Sequence, residues 1–268
     1  MSDPKSARPL KVLQLTDPHL MARENGALLG VNTRESLSAV IEEALRSHGQ
    51  PDLILATGDI SQDASVASYH YFGQKLEAFQ CPSAWIAGNH DDSATMYAVA
   101  DEFDARRRQF VLGGWHFVML DSSVHGKVHG ELSADELTFL DQTLSEHSGL
   151  PAMVCLHHHP VDIGSDWMNQ IGLKNREAFW QVIDRHTNVR CVLWGHIHQE
   201  LQQQRNGVQL MASPSTCIQF ARGSTDFAVE PLAPGYRWFE LDPSGNITTK
   251  VCRAEQFRFN LDEGSAGY

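Results

Sequence analysis

Five times in this chain a short apolar run stops abruptly at a polar group able to bind metal. Lys11–Thr16 runs into Asp17-Pro18-His19, and Asp52–Thr57 into Gly58-Asp59. Ser83–Ala87 runs into Gly88-Asn89-His90-Asp91, the run ending at Leu156 into His157-His158-His159-Pro160, and the run ending at Trp194 into Gly195-His196-Ile197-His198. Runs this short and apolar, bounded by turn residues, read as buried strands. The carboxyl ends of strands in an open α/β sheet are where ligands bind. A fold that uses this pattern must bring five strand ends to one edge.

Between the runs the periodicity changes to that of helices. From Asn32 to about His48, Leu37, Val40, Ile41, Ala44 and Leu45 recur at helical spacing behind a capping pair, Asn32 and Glu35. Further helices are predicted around Ser65–Phe79, from Ser133 with a stripe of Leu137, Leu140 and Leu144, and over Asn175–Arg185. Gly113-Gly114 between Gln109–Leu112 and Trp115–Leu120 is a hairpin signal. Beyond the last polar cluster the pattern is mostly of strands: Glu200–Gln204, Gln209–Ala212, Tyr236–Leu241 and Asn246–Cys252. Alternation followed by a strand-rich end predicts one α/β domain with mixed sheets over residues 1–253, with a loose polar tail over 254–268. No G-x-G-x-x-G or G-x-x-x-x-G-K-[ST] loop occurs, which leaves a dinucleotide fold or P-loop unsupported.

Composition limits the partners. With 33 acidic and 21 basic side chains the net charge is −12, unsuited to a nucleic acid or an anionic membrane surface. Five widely spaced cysteines form no C-x-x-C pair, the first residues lack an apolar signal segment, and no run approaches the ~18 residues that span a bilayer. A cytoplasmic protein is the expectation. Fourteen histidines are the unusual entry in this composition.

The donors at the strand ends are oxygen and imidazole without thiolate, which suits Fe, Mn, Zn or Co. Two Asp, one Asn and four His make seven donors, too many for a single ion. If Asp59 bridges, each of two metals has four protein ligands and open positions for water, an arrangement made for in-line displacement at phosphorus with metals roughly 3.5–4 Å apart. Two divalent ions add about +4 locally, so the acidic total does not oppose a small phosphate substrate.

D-x-H, G-D, G-N-H-D, H-x-x-P and G-H-x-H, in this order from Asp17 to His198, resemble the signature of the calcineurin-like metallophosphoesterases. The stretches Leu120–Leu132 (LDSSVHGKVHGEL), Ser165–Asn175 (SDWMNQIGLKN), Leu193–Glu200 (LWGHIHQE), Ser213–Phe220 (SPSTCIQF) and Pro234–Leu241 (PGYRWFEL) resemble the bacterial class III 3′,5′-cyclic-AMP phosphodiesterases, the CpdA type. The resemblance covers about Leu10 to Arg253 and implies a four-layer αββα sandwich with two mixed sheets. It implies that Asp17, His19 and His198 hold one metal, that Asp59 bridges, and that Asn89, His157 and His196 complete the second. His157 is chosen from the triple histidine for its place directly after the strand. The implied cofactors are two divalent ions, Fe²⁺ or Mn²⁺ first, with Zn²⁺, Co²⁺ or Mg²⁺ as alternatives.

In the mechanism this implies, a hydroxide shared by the metals attacks phosphorus, and Asn89 and His90 steady the phosphoryl oxygens. His90 protonates the departing 3′-oxygen, converting cyclic AMP to 5′-AMP. Asp63, four residues past Asp59, is a candidate to orient His90, although related phosphatases place that acid one residue earlier. The substrate contacts would be His19, Asp59, Asn89, His90, His198 and His129, the last on a loop that reaches the substrate in the resembling group. Rival readings are a broader phosphodiesterase or phosphatase, acting on glycerophosphodiesters, 2′,3′-cyclic nucleotides or phosphomonoesters, and a non-catalytic scaffold.

Other features have plainer readings. His48, His147 and His186 lie near helix C-termini, His70 on a helix surface and His116 in a strand. Arg106-Arg107-Arg108 reads as a solvated helix face or, alternatively, as a basic run that steers phosphate. Asp162–Leu173 has no clean periodicity, so it is either a self-packed loop or a lid with Trp167 available to a purine. Asp91 and Asp92 either support His90 or begin the next helix. The strand-rich C-terminal part could supply a homodimer contact.

Overall fold

The computed structural model describes residues 8–262. Strand Leu10–Leu15 pairs in parallel with Leu53–Thr57, which pairs in parallel with Ser83–Ile86. On its other side Leu10–Leu15 meets Gly235–Leu241 antiparallel, and Ile247–Arg253 closes this five-stranded sheet. The second sheet has six strands in the order Leu201–Arg205, Val208–Ala212, Val189–Trp194, Ala152–Cys155, Trp115–Met119 and Gln109–Leu112. Its four inner strands are parallel.

Three apolar clusters define the layers. Leu10, Val12, Leu53, Leu55, Trp115, Phe117, Met153 and Cys191 fill the space between the sheets. Helices Thr33–His48, Val66–Leu76 and Ser93–Glu102 cover the outer face of the first sheet through Leu37, Val40, Phe72, Met96 and Val99. Helices Ala134–Glu146 and Arg176–Ile183 cover the outer face of the second through Leu140, Leu144, Phe179 and Ile183. The result is the αββα sandwich expected. It explains why the central strands are apolar without alternation, since a parallel sheet covered on both faces has no wet side.

Side-chain caps set the helix starts. Asn32 accepts from the N–H groups of Arg34 and Glu35, Ser65 from Ser68, Asp92 from Thr95 and Ser133 from Glu136. Two-residue ladders, Ala27–Leu28 with Val31–Asn32 and Gln219–Phe220 with Val229–Glu230, are too short to show a period in sequence. The segment without periodicity holds a single helical turn, Asp166–Asn169.

The tail expected to be loose is laid against the body as far as Asp262. Phe257, Phe259 and Leu261 pack on the outer core, and the Asp262 N–H donates to the Leu29 carbonyl at 2.9 Å. Aromatic side chains spaced by two escaped a reading based on average polarity. Among the described residues no helix is long and apolar enough to cross a membrane.

Candidate active site and metal centre

The parallel strands of both sheets end at one edge, where their last residues are stitched together. Asp17 N–H donates to the Gly58 carbonyl at 3.0 Å, Gly195 N–H to the His157 carbonyl at 3.2 Å, and Gln14 Nε2 crosses between sheets to the Trp194 carbonyl at 3.1 Å. At this edge the backbone is strained. Asp17, His19, Asp59, His196 and His198 all have φ between 46° and 67°, the left-handed region that side chains with a Cβ avoid. Each abrupt reversal turns a polar side chain into the space between the strand ends.

Two glycines allow the approach. A Cβ on Gly58 would lie 2.3 Å from His157 Nδ1, and one on Gly88 2.2 Å from Asp59 Oδ1.

The ligand atoms of Asp17, His19 and His198 lie within 4.8 Å of one another, as do those of Asp17, Asp59 and His157, of His19, Asp59 and His90, and of His157, His158 and His196. These groups share members, so they form one continuous cluster. His157 Nε2 is 3.2 Å from Asp59 Oδ2, and His198 Nε2 is 3.5 Å from Asp17 Oδ1. Asp59 Oδ2, His157 Nε2 and Asn89 Oδ1 are buried without a hydrogen-bond partner. Buried polar atoms left in this state are costly unless another group takes them up, and a divalent ion, displacing the proton from His157, fits their chemistry.

The far side of each ring is occupied. His157 Nδ1 donates to the Thr57 carbonyl at 2.7 Å, His19 Nδ1 to Gln62 Oε1 at 2.7 Å, His198 Nδ1 to the Ile218 carbonyl at 2.9 Å, and His196 Nε2 to the Ile171 carbonyl at 3.1 Å. Each bond fixes the orientation of its ring and turns the other nitrogen toward the cluster.

The electrostatics follow from burial and crowding. Burial holds His19 and His196 well below the usual imidazole range, so both rings are neutral and able to ligate. Burial alone would push the Asp59 carboxyl up, but the neighbouring imidazoles, His157 first, outweigh it and hold it well below the carboxylate range. Burial opposes a charge on His157 in the same way, and Asp59 overcomes it, raising this ring to about 9.

His90 stands at the rim, half-buried, with its ring edge-on to His19 at 5.0 Å and its backbone N–H on Asp59 Oδ1 at 2.8 Å. Of the triple histidine, His157 is the one that turns to Asp59. His158 has both nitrogens engaged, with Ser122 Oγ at 2.8 Å and the Val128 carbonyl at 3.2 Å, and His159 lies over His196 with ring centroids 5.6 Å apart. His129 is half-buried on the loop whose neighbours, Val128 and Gly130, enclose His158.

Asp63 is placed otherwise than expected. Its oxygens accept from the N–H groups of Ala22 and Ser65 and from Ser61 Oγ, and none of these contacts is with His90. An acid four residues past a turn is captured by the nearest free backbone donors. The carboxylate beside the G-N-H-D turn is Asp91, which accepts from the N–H groups of Gly88 at 2.9 Å, Ser61 at 2.9 Å and Ile60 at 3.1 Å. Burial and the nearby Asp59 push the Asp91 carboxyl up.

Sequence reasoning left Asp91 undecided and missed Gln62 and Ser122. Gln62 carries no motif, and the carbonyls that orient three of the histidines carry no sequence signal at all.

Residues 10–200 match the model of the calcineurin-like phosphoesterases. The chain belongs to the calcineurin-like phosphoesterase family. It is 43% identical over 265 residues to a 3′,5′-cyclic adenosine monophosphate phosphodiesterase CpdA of Pseudomonas aeruginosa, covering 99% of this chain and 97% of that one. To the protein of the same name from Escherichia coli K12 it is 41% identical over 262 residues, covering 97% and 95%. Among solved structures, a dimetal phosphatase from Danio rerio superposes with a TM-score of 0.69 at 14% identity, covering 92% of this chain and 97% of that one. A purple acid phosphatase from yellow lupin seeds superposes with a TM-score of 0.66 at 13% identity, covering 97% and 54%. At such low identity these two share the phosphoesterase fold with this chain, and the likeness extends no further.

Proposed function

We propose that this chain is a metal-dependent phosphodiesterase that opens the 3′,5′ ring of cyclic AMP to give 5′-AMP. The observation that carries the substrate is the near full-length similarity to curated cyclic-AMP phosphodiesterases, which spans 99% and 97% of this chain. The observation that supports the chemistry is the set of buried polar atoms of Asp59, His157 and Asn89 that lack a hydrogen-bond partner and face one another at the strand ends.

Asp17, His19 and His198 would hold one ion and Asn89, His157 and His196 the other, with Asp59 shared. Fe²⁺ or Mn²⁺ suits this set of imidazoles and carboxylates best. When bound, such a pair supplies positive charge for the phosphoryl oxygens and lowers the pKa of water toward neutrality. The protein contributes alignment: the backbone N–H of His90 and the rings of His19 and His157 fix the Asp59 carboxylate, so the donor set needs little reorganisation on binding. His90 is at the rim and reachable, placed to hold a proton against a phosphoryl oxygen and to pass it to the 3′-oxygen as that bond breaks. Burial of the remaining site histidines restricts this exchange to His90.

The test is a side-by-side assay with Mn²⁺ of cyclic AMP, cyclic GMP, a 2′,3′-cyclic nucleotide, a glycerophosphodiester and bis-p-nitrophenyl phosphate, with metal analysis of the same sample. Preferential turnover of cyclic AMP by protein holding about two ions per chain is expected. Turnover of cyclic AMP no better than the rest would leave a general phosphoesterase.

A further inference from the structure

Behind the ligand His198 lies an aromatic cluster that the phosphoryl chemistry does not use. The His198 ring is stacked on Phe220 with centroids 4.0 Å apart and planes inclined by 6°. Phe220 is fully buried and meets Trp167 at 5.1 Å and Phe227 at 5.6 Å, both edge-on, while Trp167 and Phe227 meet each other at 5.4 Å. Trp167 and Phe227, unlike Phe220, are only partly buried.

The segments that carry these two rings are joined through one residue. The Ser224 carbonyl accepts from the Asp166 N–H at 3.1 Å and from Ser165 Oγ at 2.9 Å, and Ser224 Oγ accepts from Trp167 Nε1 at 3.1 Å. The same two segments reach the metal cluster through their backbones, since the Ile171 carbonyl holds His196 and the Ile218 carbonyl holds His198. Space is left beside them. A Cβ on Gly164 would meet nothing within 4 Å, and one on Gly223 would meet only the Gly164 carbonyl oxygen, at 3.9 Å.

A cyclic nucleotide puts its base a single sugar ring away from phosphorus. Its π-face must leave water for a surface that is flat, apolar and already ordered. Resting on the cyclic-nucleotide reading above, we propose that Trp167 and Phe227 form the wall against which the nucleobase stacks, and that Ser224 is the positioning residue that holds this wall in register with His196 and His198. An indole pinned at Nε1 and wedged against two phenyl rings loses little freedom when a base arrives, so most of the stacking energy is retained as affinity. The phosphate end binds any phosphoester, and this wall adds the preference for a nucleotide over a bare sugar phosphate.

The test is calorimetric titration of the Mn²⁺-loaded protein with 5′-AMP and, separately, with ribose 5-phosphate, which has the same phosphate and sugar without the base. The wild-type protein is expected to bind 5′-AMP about 10-fold more tightly. Trp167→Leu is expected to erase that ratio while keeping the affinity for ribose 5-phosphate, and Trp167→Phe to restore most of it. Phe227→Leu gives an independent measurement if Trp167→Leu fails to fold. A wild-type protein without the preference, or a Leu variant that retains it, overturns the wall. If the wild type keeps the preference yet does not hydrolyse cyclic AMP, the proposed reaction fails and the base-binding wall stands.

Discussion

His19 Nε2 and His198 Nε2 face each other at 3.1 Å while the Nδ1 of each ring is committed elsewhere, to Gln62 and to the Ile218 carbonyl. Both Nε2 atoms point into one buried space beside the carboxylates of Asp17 and Asp59, and a cation held there would draw the four groups together. Metal removal should therefore destabilise the fold, and saturating Mn²⁺ at about 100 times its dissociation constant should add about 2.7 kcal/mol. Thermal unfolding of chelated and reloaded protein measures this. Equal midpoints would mean that the cluster does not depend on an ion.

Gln62 Oε1 accepts from His19 Nδ1 at 2.7 Å, which would keep the ring in the tautomer that ligates through Nε2. Gln62→Leu retains the volume and removes the acceptor, so the ring is free to turn. Metal affinity should fall roughly 10- to 100-fold, the usual cost of losing a partner that orients a ligand. Competition with a chelator of known affinity reads this directly, without reference to turnover.

Substitutions at His90 and at Asp59 should separate proton transfer from metal holding. His90→Ala should lower kcat by roughly 10²- to 10⁴-fold with metal content nearly unchanged, because the ring is at the rim and its backbone N–H on Asp59 survives the substitution. Asp59→Ala should lose metal as well as activity. A His90→Ala enzyme with undiminished turnover would remove it from the reaction.

The main strands and most of the helices were legible because the fold repeats one device: a buried parallel strand must be apolar throughout, and where it stops, polarity is conspicuous. Asp17, Asp59, His157 and His196 stand out for this reason. The partners were not legible, because orientation is done largely by carbonyls of Thr57, Ile171 and Ile218, which any residue could supply. Asp63 was misplaced because spacing along the chain does not show which backbone donors a carboxylate will meet first.

Away from the site, His116 gives the fold an acid sensitivity. It is buried on strand Trp115–Met119, beside Thr143 Oγ1 and against the His147 ring, and burial first, then His147, lowers it to about 4. The unfolded chain titrates near 6.5 and so binds more protons than the folded one between pH 6.5 and 4. The contribution of neutral His116 is fully present above pH 6.5 and is lost as pH falls through that window, amounting to about 1–3 kcal/mol. In urea unfolding from pH 7 to 4.5, a His116→Gln variant should show a shallower decline than wild type. Parallel curves would assign the acid sensitivity to other groups.

Asp91 supports the site without a place among the proposed ligands. Three backbone N–H groups, those of Gly88, Ile60 and Ser61, converge on its carboxylate and join the loop that carries Asp59 to the loop that carries Asn89 and His90. Asp91→Ala would leave all three donors buried and unpaired, each costing about 1–3 kcal/mol before relaxation, so a loss of at least about 3 kcal/mol is expected. Asp91→Asn keeps the volume and one accepting oxygen but turns its amide toward the other donors, and should fall between Ala and wild type. Urea unfolding of the chelated proteins tests this order free of metal effects. If the Ala variant is as stable as wild type, the three bonds do not hold the two loops together, and the alignment of Asp59 with His90 must come from the strands alone.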